Sequence, residues 1–221
     1  MSASATALRD YDELRTLSTL TIDVISVTHR TLVLGSSQDR AILRETAAAK
    51  IDIRRRRGGG GVVLLDPGDV WIDVWLPTEH PLFTRDVLVQ SMSIGQWWLV
   101  ALTGLGVLDL ELRRGTAGAS DDARVACFAS ASWGEVVSPG GKLVGVTQWR
   151  PREGAHVSTL LSRRGSTPIL DYLDRPAAHL RELLEHPTLE SLGLSDRRDD
   201  VINGIVESAP SATLRRLSLP Q

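Results

Sequence analysis

The chain has 221 residues, 42% of them apolar, and a formal net charge of −2 at pH 7. That length allows one domain with a tail and a genuine core, and the near-neutral balance excludes an overall field that would gather nucleic acid or anionic lipid. The single cysteine, Cys127, excludes an internal disulfide framework and fits a reducing compartment.

The N-terminus carries no basic stretch followed by an apolar one, so no secretory signal is expected. The most apolar window, residues 97–110, is shorter than the roughly 18 residues of a membrane span. The expectation is a soluble cytoplasmic protein. Residues 1–18 are polar and read as a flexible segment with a short helix over 11–17. Residues 20–27 alternate and are rich in β-branched side chains, which predicts a strand. Residues 31–34 predict a second, with His29 and Arg30 as a tight turn between them. After a loop at 35–38, Asp39 is suited to capping a helix that runs to about Lys50 through AILRETAAAK. Residues 51–53 return to strand and lead into the run RRRRGGGG at 54–61.

Residues 62–65 and 70–76 predict a hairpin across the turn 66–69. In its second strand Val70, Ile72, Val74 and Leu76 share one face, while Trp71, Asp73 and Trp75 share the other. A ligand, a helix or ordinary core packing would cover that second face. Thr84 is the expected N-cap of a long helix to about residue 105. Residues 107–112 read as a strand and 115–123 as a small, polar loop. Strands at 133–137 and 142–148 are joined by Ser138-Pro139-Gly140-Gly141, a strong hairpin signal. A strand at 156–161 follows the polar loop 150–154. Pro176 sits at a first helical position, and that helix stops before Pro187. Residues 199–208 form a second helix, and the last ten residues are loosely specified. Strands in hairpins, one long central helix and helices gathered at the end predict an α+β domain with a mixed, largely antiparallel sheet flanked by helices.

The stretch 54–69 draws the chemistry together. Glycines accept φ > 0 and let a ligand approach the main chain. Such a loop exposes N–H donors, and adjacent arginines add fork-shaped cations, a combination suited to phosphate or carboxylate. A solvated surface loop is the competing reading. The run is no Walker A loop, because Val62 and Val63 stand where Lys and Ser/Thr are needed. It is no dinucleotide fingerprint, because a hairpin rather than a helix follows. It lacks the interleaved aromatics of an RNA-binding tract. His29, His80, His156, His179 and His186 show no helical pairing and no cysteine partner, so no metal site is expected. His80 and His186 each precede a proline and read as surface turn residues. Lys142 follows two glycines and opens a half-buried strand, where an ammonium can meet an acyl carbonyl or a phosphate. Cys127 reads either as a small core residue or as a thiolate nucleophile, if Arg124 or Lys142 supplies positive charge nearby.

Two segments together resemble the catalytic domain of the lipoate–protein ligase family, which also holds octanoyltransferases and biotin ligases. In the motif R-R-x-(S/T)-G-G-G-x-V-x-H-D-x-G-(N/D), Arg55, Arg56, Gly59, Gly60, Gly61, Val63, Asp66 and Gly68 fall in register. In the motif G-(R/K)-K-(I/L)-x-G-S-A-Q-x-R and the strand after it, Gly141, Lys142, Leu143, Gly145, Gln148 and Arg150 match, then His156 and Thr159-Leu160-Leu161. The turn Leu34-Gly35-Ser36-Ser37-Gln38 is similar to the family's G-x-x-Q turn. The resemblance spans residues 20–185 and implies a catalytic domain over 19–185, after the flexible segment 1–18 and before a helical tail, 186–221, packed on it.

What the resemblance implies is attachment of lipoate or octanoate to a lysine of a lipoyl carrier domain, of the 2-oxoacid dehydrogenase E2 or glycine cleavage H protein type. The first reading is a ligase, in which ATP and Mg²⁺ form an acyl-adenylate. Lys142 matches the lysine that contacts the acyl carbonyl and phosphate, a fixed cation beside developing oxyanion charge. Gly58, Gly59, Gly60 and Gly61 would give backbone contacts and Arg56 a charge clamp. Asp66, Gly145, Gln148, His156 and Thr159 complete the implied binding set. The segment Ala126-Cys127-Phe128 also resembles the one that carries the nucleophile of ATP-independent octanoyltransferases, which take octanoate from acyl carrier protein through a thioester. A lapsed homologue that only binds is the third reading. Four departures remove polar groups near the implied ligand: Gly58 for Ser/Thr, Leu65 for His, Val146-Thr147 for Ser-Ala, and Val157-Ser158 for His-Gly.

Overall fold

A computed structural model describes residues 6–116, 120, 122–209 and 211–219. The N-terminal segment, expected to be flexible, packs from residue 6 onward. Strand β1 (Thr6–Ala7) pairs in parallel with β4 (Asp52–Arg55), and helix α1 (Tyr11–Arg15) follows, capped by the Asp10 carboxylate. Leu8, Tyr11 and Leu14, at a spacing of three, are all buried, which is what anchors the segment.

Strands β2 (Thr21–Ser26) and β3 (Thr31–Leu34) form as expected but do not pair with each other. The turn between them carries the chain from one sheet to another. The helix expected over 39–50 is split into a 3₁₀ turn (Arg40–Ile42) and α2 (Glu45–Ala48). Leu43 between them is extended and bridges to Leu173, a tertiary contact that overrides local propensity. Asp39 does cap, accepting from the Ala41 N–H.

Strands β5 (Val63–Leu65) and β6 (Val70–Pro77) were expected as a hairpin, yet they belong to different sheets. The buried Asp69 carboxylate fixes this crossover by accepting from the main-chain N–H of Asp66 at 2.8 Å and of Arg163 at 2.7 Å. Burial outweighs those bonds and pushes its pKa up to about 6.

Helix α3 (Val87–Gly104) is capped by Asp86 rather than Thr84, whose hydroxyl instead accepts from the Asp86 N–H. Its Gly95 allows contact with Gly134, whose carbonyl oxygen would lie 1.9 Å from a Cβ at position 95. Strand β7 (Glu111–Leu112) is shorter than expected. The loop at 115–123 lies partly outside the described residues. Strands β8 (Val136–Ser138) and β9 (Gly141–Trp149) form the expected hairpin, and β10 (Gly154–Leu161) lies between β9 and β6.

After β10 the helix expected from Pro176 contracts to α4 (Leu180–Leu183), and α5 (Arg198–Glu207) follows. The tail is not wholly helical: β11 (Thr213–Ser218) adds to the sheet edge in parallel with β2. Buried Asp23 draws it there, accepting from Arg215 Nε and Nη2 at 2.6 and 2.7 Å.

The result is the expected α+β class, in two sheets rather than one. A four-stranded sheet has the order β1-β4-β3-β5, and a seven-stranded, mostly antiparallel sheet has the order β11-β2-β6-β10-β9-β8-β7. Helix α3 packs on β7, β8 and β9, and α5 packs on α3, where Gly204 meets Ala101; Trp98, Val201 and Ile205 join the same buried cluster as the sheet. The small sheet faces the 3₁₀ turn Cys127–Ala129, and the two sheets converge there.

Candidate active site

Each sheet delivers one part of the site. Strand β4 of the small sheet ends in the glycine loop, and β9 of the large sheet carries Lys142 as its second residue. Between them the Cys127 N–H donates to the Val62 carbonyl, which seats the 3₁₀ turn against the end of the loop. Gly61 makes that contact close, since a Cβ there would lie 2.6 Å from the Ala126 carbonyl carbon.

Lys142 is buried to 5% exposure. Its Nζ meets Glu135 Oε1 at 2.6 Å, donates to the Cys127 carbonyl at 2.7 Å and the Ser130 carbonyl at 3.3 Å, and lies 3.6 Å from Cys127 Sγ. The Phe128 ring is 5.1 Å below the ammonium. Burial lowers the Lys142 pKa, but the Cys127 sulfur and the Glu135 carboxylate together outweigh it, so the value lies above that of an ordinary lysine and the group stays charged. Glu135 is itself saturated, because it also accepts from the Ser132 and Val146 N–H groups.

Arg56 was expected to clamp a ligand charge. Instead its guanidinium is buried and directed inward, donating to the carbonyls of Gly59 and Gly61 at 2.8 Å each and of Val33 at 3.2 Å. Burial lowers its pKa, and the nearby Cys127 sulfur is the foremost influence in the other direction. It therefore holds the loop in shape and places a second cation within electrostatic reach of the sulfur.

Two clefts meet at Cys127. An apolar one, narrow at about 40 Å³, is lined by Leu8, Val33, Val63, Leu65, Trp71, Val146 and Leu160, with Arg56, Gly145, Ser158 and Thr159 on its wall. A polar one of about 240 Å³ is lined by Gly59, Gly60, Gly61, Arg124, Ser130, Ser132, Glu135 and Lys142. Cys127, Val146 and Thr147 line both. Gly58 is buried beside Thr147, and Thr159 Oγ1 donates to the Ile72 carbonyl at 2.8 Å.

Three expected residues lie elsewhere. The Asp66 carboxylate is held on the crossover turn by Arg30, at 2.7 and 3.0 Å, because the expected hairpin is a change of sheet. Gln148 directs its amide to Ser91 Oγ and the Val87 carbonyl at the start of α3. His156 shares the sheet face of Ser158 and Leu160 on the cleft wall but lies further along it, where Nε2 is 3.2 Å from the Asp73 carboxylate and the ring meets the edge of Tyr11. That cluster covers the Trp71–Asp73–Trp75 face of β6: Trp71 Nε1 donates to Asp73 at 2.6 Å, and Arg9 reaches both Asp23 and Asp73.

Residue-by-residue reading passed over Glu135 and Leu8. Nothing in their local pattern sets them apart, since both reach the site only through strand pairing. His186, read as a surface turn residue, is half-buried and stacks on Phe128 at 4.4 Å. Burial lowers its pKa, and the imidazole is neutral: Nδ1–H donates to the Pro187 carbonyl while Nε2 accepts from Ser166.

Solved structures share this architecture. A putative lipoate protein ligase from T. acidophilum with bound lipoic acid matches with a TM-score of 0.69 at 15% identity, covering 99% of this chain and 90% of that one. A lipoate-protein ligase A bound with ATP gives 0.69 at 16% identity, over 96% of this chain and 83% of that one. A bipartite lipoate protein ligase from Thermoplasma acidophilum, studied with its E2 lipoyl domain, gives 0.67 at 17% identity, over 96% and 81%. The fold is thus that of a lipoate ligase-type catalytic domain. The model of the lipoyl protein ligase A/B catalytic domain matches residues 12–189, and the chain belongs to that family. No curated protein matches the chain. Among the described residues no helix is long and apolar enough to cross a membrane, and no three His, Cys, Asp or Glu side chains gather to hold a metal ion.

Proposed function

We propose that this chain transfers a lipoyl or octanoyl group to a lysine of a lipoyl carrier domain through a thioester on Cys127. One observation carries the reading: the sulfur lies where the apolar cleft meets the glycine loop, 3.6 Å from Lys142 Nζ. Lys142 has Glu135 as its counter-charge, whereas among the described residues the hydrogen bonds of buried Arg56 go to carbonyls. The Cys127 sulfur lies beside that surplus cation, the setting in which a cysteine becomes nucleophilic.

The thiolate attacks the carbonyl carbon of an acyl thioester, such as that on acyl carrier protein. A carbon–sulfur bond forms to Cys127, the donor's carbon–sulfur bond breaks, and the donor thiolate takes a proton from solvent. The neutral amine of the carrier lysine then attacks the same carbon. It loses a proton as the amide forms, and the Cys127 thiolate is regenerated. Leu8, Val63 and Trp71 would hold the acyl tail, and the loop's main-chain donors would face the developing oxyanion.

A second reading is the acyl-adenylate ligase, with ATP as co-substrate and Mg²⁺. It is favoured by the glycine loop, whose exposed main chain fits a phosphate, and a fold-sharing structure is bound with ATP. The cations beside the loop argue against it, since Lys142 and Arg56 already bond to protein acceptors. The test is transfer from an octanoyl thioester to a purified lipoyl domain, read by intact mass. Cys127→Ala abolishes transfer on the first reading. Full activity of that variant, with pyrophosphate released from Mg-ATP and lipoate, selects the second.

A further inference from the structure

The glycine loop is bonded at one carbonyl by two side chains, one of which the matched motifs do not single out. Thr147, in the middle of β9, lines both clefts and donates from Oγ1 to the Gly59 carbonyl at 3.0 Å. Arg56 Nη2 and Nε bind the same oxygen from the protein side at 2.8 and 3.2 Å. The peptide joining Gly59 and Gly60 is trans and planar, so its N–H points opposite to its carbonyl. Fixing that carbonyl inward therefore aims the Gly60 N–H away from Arg56, and Gly60 lines the polar cleft beside Cys127. Gly60 has φ +91°, a conformation that glycine adopts without steric cost. The fit around Thr147 is tight. A Cβ at Gly58 would lie 2.5 Å from Thr147 Oγ1, so the bare main chain at 58 is what admits the threonine.

We infer that Thr147 is a positioning residue for acyl transfer: its hydroxyl, with Arg56, orients the Gly59–Gly60 peptide so that the Gly60 N–H serves as an oxyanion donor. The inference rests on the thioester reading for its chemistry. The hydrogen bond itself stands apart from that reading.

The experiment is single-turnover acylation of Cys127 by a saturating octanoyl thioester, with the Gly60 amide followed by ¹H–¹⁵N NMR of the full chain. Thr147→Val keeps the shape and loses the hydroxyl. It slows acylation about 10- to 100-fold, the usual scale for a misplaced reacting group, with little change in the donor concentration for half-saturation, and it moves the Gly60 resonance. Thr147→Ser restores both to near wild type. A Val variant that acylates at the wild-type rate with an unmoved Gly60 resonance overturns the inference. Should the wild-type chain form no thioester, the reading of Cys127 fails. The Gly60 resonance alone then decides on Thr147: movement in the Val variant with rescue by Ser upholds the positioning role, and no movement ends it.

Discussion

The molecule buries two charged clusters, and they differ in what they leave unbalanced. On one face of the large sheet Arg9, Asp23, Asp73, His156 and Arg215 close on one another, with two arginines against two aspartates. These residues come from the N-terminal segment, β2, β6, β10 and β11, so the cluster ties both ends of the chain to the sheet. Where the two sheets converge, the carboxylate set against Lys142 and Arg56 among the described residues is Glu135, beside a half-buried cysteine and two clefts. Balanced charge in a closed space holds a fold together. A surplus cation at a cleft junction is chemistry waiting for an anion. The difference also explains His156, which shares a motif with the site yet serves the closed cluster.

Breaking each cluster separates the two roles. The largest effect on stability comes from Lys142→Met, which leaves Glu135 buried and uncompensated and costs about 3–5 kcal/mol. Adding Glu135→Gln removes the stranded charge, and urea unfolding recovers part of that loss.

The closed cluster is sensitive to acid instead. Burial raises the Asp73 pKa, but His156, Arg9 and Ser158 outweigh it and hold the carboxyl at about 2, below its ordinary 3.8. Its contribution to stability is therefore full above about pH 4 and is lost as pH falls toward 2, about 2 kcal/mol in all. Asp69, with its raised pKa, changes stability in the opposite direction between pH 6 and about 4 in wild type and variant alike, so the readout is the difference in unfolding free energy between wild type and Asp73→Asn, which shrinks from pH 4 to pH 2.

The smallest effect sharpens the contrast most. His156→Gln costs about 1–2 kcal/mol of stability, the scale of a broken buried polar contact, and leaves the transfer rate per folded molecule unchanged. A selective loss of rate would return His156 to the site.

Most of the elements were legible in the sequence because their signals are local. Alternation in β2 and β6, the Ser138–Gly141 turn and the apolar spacing of α3 each need only a few residues. Sheet membership was not legible. A turn such as 66–69 reads the same whether its flanking strands pair or part, and only the buried Asp69, reaching Arg163 far along the chain, decides. The same limit applied to the site. Lys142, Cys127 and the glycine run stand out as residue types in motif, whereas the inward course of Arg56, onto the carbonyls of its own loop and of Val33 in β3, and of Gln148, onto α3, depends on how loop, strands and helix meet.

The central claim is that acyl transfer runs through the Cys127 sulfur and needs no nucleotide. Intact mass of the wild-type chain after brief mixing with an octanoyl thioester, in buffer free of ATP, tests it directly. The account predicts a single added octanoyl group, located at Cys127 and discharged when a lipoyl domain is added. An unmodified chain that acylates the lipoyl domain only once Mg-ATP and free acid are supplied would contradict it.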